Sequence, residues 1–198
     1  MIKKTVITIL FLIIFLVLNA QMISARQKFL RINLGGGASL IFGDDVINRE
    51  EENHAYDAQL TFATGLSYVS DNPNRIVNFE PGIRYVVRGF DEVYDKDTEK
   101  PRYEGTSISY IDIFGKLKLG QDQLYLVLGS GVAIAPFTEF YNTFNIPIFW
   151  GCDFYIRPKL ILGIEGDILL LDMPVKDAYQ NFNKVKGFTA LFSISFLI

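Results

Sequence analysis

Eight stretches of this chain alternate apolar and polar residues, and the polar set carries full charges in mid-stretch. Successive side chains of a β-strand point to opposite faces, so each stretch reads as a strand with one greasy and one polar face. The stretch from Tyr56 to Tyr68 shows it plainly. Tyr56, Ala58, Leu60, Phe62, Leu66 and Tyr68 share one parity, while Asp57, Gln59, Thr61, Gly65 and Ser67 share the other. One such segment also suits a half-buried strand of a soluble sheet. Its repetition along the chain is what restricts the fold.

The other stretches run from Phe29 to Ile41, Ile76 to Phe90, Ser107 to Lys118, Leu124 to Ile134, Ile148 to Arg157, Leu160 to Leu170 and Phe188 to Ile198. Within the third, Pro81 cannot donate a ladder hydrogen bond, so a bulge is expected there. The links alternate in length. Those at 42–55, 91–106, 135–147 and 171–187 are long; those at 70–75, 119–123 and 158–159 are short. Short turns at one rim and long loops at the other are the habit of an up-and-down membrane barrel. An even strand number returns both ends of the barrel to the short-turn rim.

Alternation alone fits a barrel of either polarity. Two features favour an apolar outside: the full charges in mid-strand on the polar parity, and the density of large apolar residues on the other. Large residues, including Trp150, Phe154, Phe192 and Phe196, crowd the greasy parity, and eight strands enclose too little space to hold them. Facing water they would form an extended exposed apolar surface. Facing lipid, they join Tyr56 and Tyr68 as an outward aromatic set near the interfaces. The opposite parity then lines the lumen with Arg31, Arg84, Arg88, Lys116, Lys118 and Arg157 against Asp57, Glu80, Asp112, Asp153, Glu165 and Asp167. Such a lumen is just wide enough for side chains to fill, and unpaired buried charge is costly. The expectation is a network of charge pairs that closes the lumen. A narrow, gated ion path in which the pairs change partners is the alternative.

The first 25 residues read as an export signal, with cleavage near residue 20 or 25. Lys3 and Lys4 precede an apolar run from Val6 to Leu18, and small residues follow at Ala20 and at Ser24–Ala25. That run is short for a membrane-spanning helix, although an uncleaved anchor has a similar layout. Residues 26–198 then form a single barrel domain. Cys152 is the only cysteine, so no disulfide within the chain is possible, and its parity puts it with Trp150 and Phe154. The net charge of −3 gives no basic footprint for nucleic acid.

Nothing in the sequence assembles catalytic or metal chemistry. His54 is the only histidine, beside the acidic run Glu50–Glu52, without a flanking serine or a defined ligand spacing. The expectation is a non-enzymatic protein without cofactor or metal. Its partners would be outer-membrane lipid and, through the long loops, a protein or glycan, with membership of an envelope complex left open.

The runs PGIRYVVRGF (Pro81–Phe90), YIDIFGKLKL (Tyr110–Leu119) and LYLVLGSGVA (Leu124–Ala133) resemble the outer-membrane β-barrel domain family common in Bacteroidota, of the OmpA-like or porin-like small-barrel type. That resemblance covers the chain after its signal. It implies export and insertion into the outer membrane of a Gram-negative cell, and it implies no catalytic residue.

Overall fold

The computed structural model describes residues 27–43, 46, 54–71, 76–94, 102–121, 123–136, 144–172 and 185–198. The signal segment and His54's side chain lie outside the described residues. Among the described residues nine strands form: β1 (Gln27–Phe42), β2 (His54–Asp71), β3 (Val77–Tyr94), β4 (Arg102–Gln121), β5 (Leu124–Ile134), the two-residue β6 (Phe144–Asn145), β7 (Pro147–Arg157), β8 (Leu160–Leu169) and β9 (Lys186–Leu197). Every pairing is antiparallel. β1 pairs with both β2 and β9, and β4 pairs with β5, so eight strands close into a ring. β6 adds a short rung to β5 just before β7 begins.

Closure leaves each strand with an outer and an inner face. Outward stand Leu34, Phe62, Ile83, Ile113, Leu126, Trp150, Ile164 and Phe192, one from each of the eight, all exposed. Phe192 is 70% exposed and Leu60 88%, values typical of polar surface residues rather than of large apolar ones. Inward, the fill is layered. At the short-turn rim Val69, Ile161 and Leu197 cluster, with Phe29 and Tyr155 packed on them. Further up the strands come the charged residues, then Ala63, Val86, Ile108, Tyr110, Ala133 and Leu169. Ile41, Val46, Phe90 and Val185 cluster toward the long-loop rim. The barrel is therefore polar in its middle, apolar at both stoppers and apolar outside.

Three local expectations need correction. β3 stays in unbroken register with β4 through Pro81, opposite Gly115. The irregularity lies instead in β2, where the pairing with β3 slips between Ala58 and Ala63. One extra residue reverses the facing of everything beyond it. Tyr56 consequently packs inward against Phe90, with ring centroids 6.0 Å apart, and Asp57 is exposed. A second slip, between Tyr155 and Arg157, leaves Arg157 exposed outside the lumen.

The link expected at 91–106 is largely strand. β3 and β4 continue pairing to Tyr94 opposite Arg102, and β2 follows to His54 opposite Tyr94. β5 accompanies β4 only as far as Ile111 opposite Ile134, and β1 accompanies β2 only as far as Ser39 opposite Gln59. Among the described residues β2, β3 and β4 thus continue as a three-stranded tongue beyond the ring at the long-loop rim.

Candidate functional site

The charged interior is the one place in the described residues where reactive side chains converge. It divides into two clusters. The lower one joins β1, β3, β4 and β7. Arg31 grips Asp153 with both terminal nitrogens, Nη1 to Oδ2 at 2.6 Å and Nη2 to Oδ1 at 3.0 Å, and reaches Glu80 Oε2 at 3.1 Å. Lys118 Nζ lies 2.7 Å from Asp153 and 3.3 Å from Glu80. Ser67 donates to Glu80 Oε1 at 2.5 Å, and Lys118 donates to the Tyr155 hydroxyl at 3.2 Å. Two cations meet two carboxylates, so the cluster is neutral.

The upper cluster holds Arg84 and Arg88 from β3, Asp112 and Lys116 from β4, and Glu165 and Asp167 from β8. Arg88 clasps Asp112 through two nitrogens at 3.1 and 2.8 Å, and reaches Asp167 at 3.1 Å. Arg84 donates from Nε to Asp112 at 2.8 Å, from Nη2 to Asp167 at 2.6 Å, and from Nη1 to Glu165. Lys116 pairs with Glu165. Three cations meet three carboxylates. β3 and β8 stand opposite each other in the ring, so the two arginines tie its walls together across the full diameter. A guanidinium suits this, because its planar fork serves several carboxylates at once.

Aromatic rings line the same space. Arg84 Cζ sits 4.6 Å from the Phe149 ring centre and Lys116 Nζ 4.6 Å from that of Phe114. Arg88 lies over Tyr110, and Lys118 over Tyr125 and Tyr155. Cations at these distances are attracted to the ring faces. Small residues make the room. A Cβ added at Gly65 would come within 2.6 Å of Arg84 Cβ, and one at Gly163 within 3.0 Å of an Asp153 oxygen.

Among the described residues no ion pair joins the two clusters. Between them lies a cavity of about 20 Å³, bordered by Arg31, Ser67, Glu80, Arg84, Lys116 and Glu165. That is room for about one water molecule. Arg31 Nε and Thr189 Oγ1 are the described buried side-chain polar atoms without a partner. No group of acidic, cysteine or histidine side chains among the described residues could hold a metal ion.

Of the residues expected inside, Arg31, Glu80, Arg84, Arg88, Asp112, Lys116, Asp153, Glu165 and Asp167 come together here, with Lys118. Asp57 and Arg157 do not. Trp150, Phe154, Phe192 and Phe196 are exposed on the outer wall, Tyr68 is half-buried, and Tyr56 is inside. Phe114 and Phe149, not among the residues expected inside, are buried here as well. Their parity with Lys116 and Asp153 is the signal in the sequence that marks them as inward.

No family model and no curated protein matches the chain. Solved structures similar to the chain include the following two. One is a de novo designed transmembrane β-barrel, 11% identical, covering 86% of this chain and 95% of its own, with a TM-score of 0.42. The other is Neisserial surface protein A, 10% identical, covering 84% and 96%, with a TM-score of 0.35.

Proposed function

We propose that this chain is a small outer-membrane barrel of a Gram-negative cell, exported through its N-terminal signal. Its lumen is closed by charge pairs, and its role is structural or interactive, without enzymatic activity. The observation that carries this reading is the polarity of the ring. All eight strands turn large apolar residues outward, and five cations meet five carboxylates inside. In water that outer surface would drive association; in lipid it is the required surface. The runs at Pro81–Phe90, Tyr110–Leu119 and Leu124–Ala133 support the same assignment to an OmpA-like small barrel.

A narrow channel is the competing reading, and the cavity between the clusters is the observation that favours it. Its volume holds about one water, and buried apolar clusters lie toward both rims. We expect the purified protein to migrate faster on a gel before boiling than after, and to give no steps of conductance in a planar bilayer. Well-resolved conductance that Arg84→Ala or Glu80→Ala alters would favour the channel. Absence of the mobility shift together with failure to enter vesicles would overturn the membrane reading.

A further inference from the structure

The charges of the two clusters are not spread evenly along the chain. All five cations lie on the first four strands: Arg31 on β1, Arg84 and Arg88 on β3, Lys116 and Lys118 on β4. Glu80 and Asp112 accompany them there, whereas Asp153, Glu165 and Asp167 lie on β7 and β8. The cations that β5 to β9 do carry, Arg157 and Lys186, stand off the lumen: Arg157 is exposed, and Lys186 shares the outward parity of Phe192. Five cations against two carboxylates leave the β1–β4 wall with an excess of three positive charges. The β7–β8 wall faces it with three negative ones. The pairing follows this division. Asp153 is held by Arg31 and Lys118, Glu165 by Arg84 and Lys116, and Asp167 by Arg84 and Arg88. Every one of these cations comes from the other half of the chain.

These pairs reach far along the chain: Arg31 and Asp153 are 122 residues apart, and Arg84 and Asp167 are 83 apart. The ladder that completes the ring, β1 with β9, joins its first and last strands. Closing it carries the largest loop-closure entropy of any ladder here. In a sheet not yet curled the lumen side is wet, and opposite charges attract across roughly a screening length, about 10 Å at 0.1 M salt. Curling that brings β8 over β3 carries β9 to the free edge of β1. A sheet that closed without this match would leave three acids without cations in a space that water barely reaches, and unpaired buried charge is costly.

We propose that the lumen charges draw the ring shut: the acidic face of β7 and β8 docks on the cationic face of β1–β4 before the ladder between β1 and β9 forms. The pairs are then a closure device as well as the filling of the lumen.

Asp112 and Asp167 make a matched test. Both are fully buried and both are bound by Arg84 and Arg88, but Asp112 belongs to the cationic half and Asp167 to the acidic one. The full chain is refolded from urea into uncharged detergent micelles, and closure is followed by the appearance of the unboiled, fast-migrating form. Asp167→Asn weakens the attraction and should slow closure about tenfold while leaving the unfolding rate nearly unchanged, the pattern of an interaction already made at the barrier. Asp112→Asn raises the positive excess of its half and should not slow closure. Salt raised from about 0.01 to 1 M shortens the screening length from about 30 to 3 Å. It should slow closure of the unaltered chain, and slow that of Asp167→Asn less. Equal slowing by the two substitutions would overturn the proposal, because it would report the loss of any buried charge. So would an Asp167→Asn chain that closes at the normal rate and unfolds faster, which would make the pairs a lock fitted after the ladders. If either variant fails to close, the salt dependence of the unaltered chain decides, and a closure rate indifferent to salt would overturn the proposal.

Discussion

Arg84 touches three carboxylates, and each has a second cation: Asp112 and Asp167 keep Arg88, and Glu165 keeps Lys116. Removing Arg84 therefore orphans no single acid but leaves the upper cluster with two cations against three carboxylates, in a space that water barely reaches. Breaking such a buried pair typically costs about 3–5 kcal/mol. Arg84→Met should lower the urea midpoint of the unboiled, fast-migrating form by that order. Glu165→Gln added to it restores two against two. The double variant should then recover part of the loss, a non-additivity expected of residues in one network. A double variant no more stable than the additive sum of the two singles would mean that charge balance is not what holds this cluster.

The slip in β2 shows how elements, rather than residues, decide what faces where. Strand identity was legible from parity, and the β5 bounds coincide with those read from the sequence. The tongue was not legible, because its strands are written in loop-like residues such as Asp91, Glu92 and Glu104. Their pairing depends on Gly89 and Gly105, over which Gln59 lies to receive a hydrogen bond from Ser107 at 2.9 Å. Nor could composition reveal the extra residue between Ala58 and Ala63, which turned Tyr56 inward and Asp57 outward. The charged lumen was legible because charges of both signs recur in mid-strand on one parity, and only a shared interior lets them pair. A Cβ at Gly89 would come within 2.3 Å of the Thr106 backbone oxygen as well as meeting Gln59. Gly89→Val should accordingly raise amide exchange along Arg102–Thr106 and His54–Ala58 and leave the ladder between β8 and β9 unchanged. Uniform loosening of the whole ring would contradict the tongue's separate standing.

For the whole molecule, the decisive quantity is what the outer wall touches. The chain carries one tryptophan and one cysteine, and both sit on that wall. Trp150 lies over Gly166 and beside Phe188, 6.0 Å away between ring centroids, and is 39% exposed. Cys152 follows on the same face, half-buried near Phe154, Leu162 and Ile164. The outer residues of β7 run from Ile148 to Ile156. They span roughly 26 Å along the strand and about 20 Å across a bilayer at the tilt usual for such barrels. Trp150 stands about a quarter of the way in from the long-loop rim, close to where interfacial aromatics gather. In vesicles its fluorescence should be quenched by lipids brominated on the acyl chain, more strongly when the bromines lie near the headgroups than at the bilayer centre. Cys152 should resist a charged, water-soluble maleimide in those vesicles and react once the protein is boiled in detergent. Phe192→Lys, on the neighbouring outer wall, should reduce insertion, since a lysine at the bilayer midplane costs about 2–4 kcal/mol. Trp150 quenched by aqueous iodide but not by brominated lipid would place this face in water. The same apolar wall would then have to be covered by protein instead of lipid.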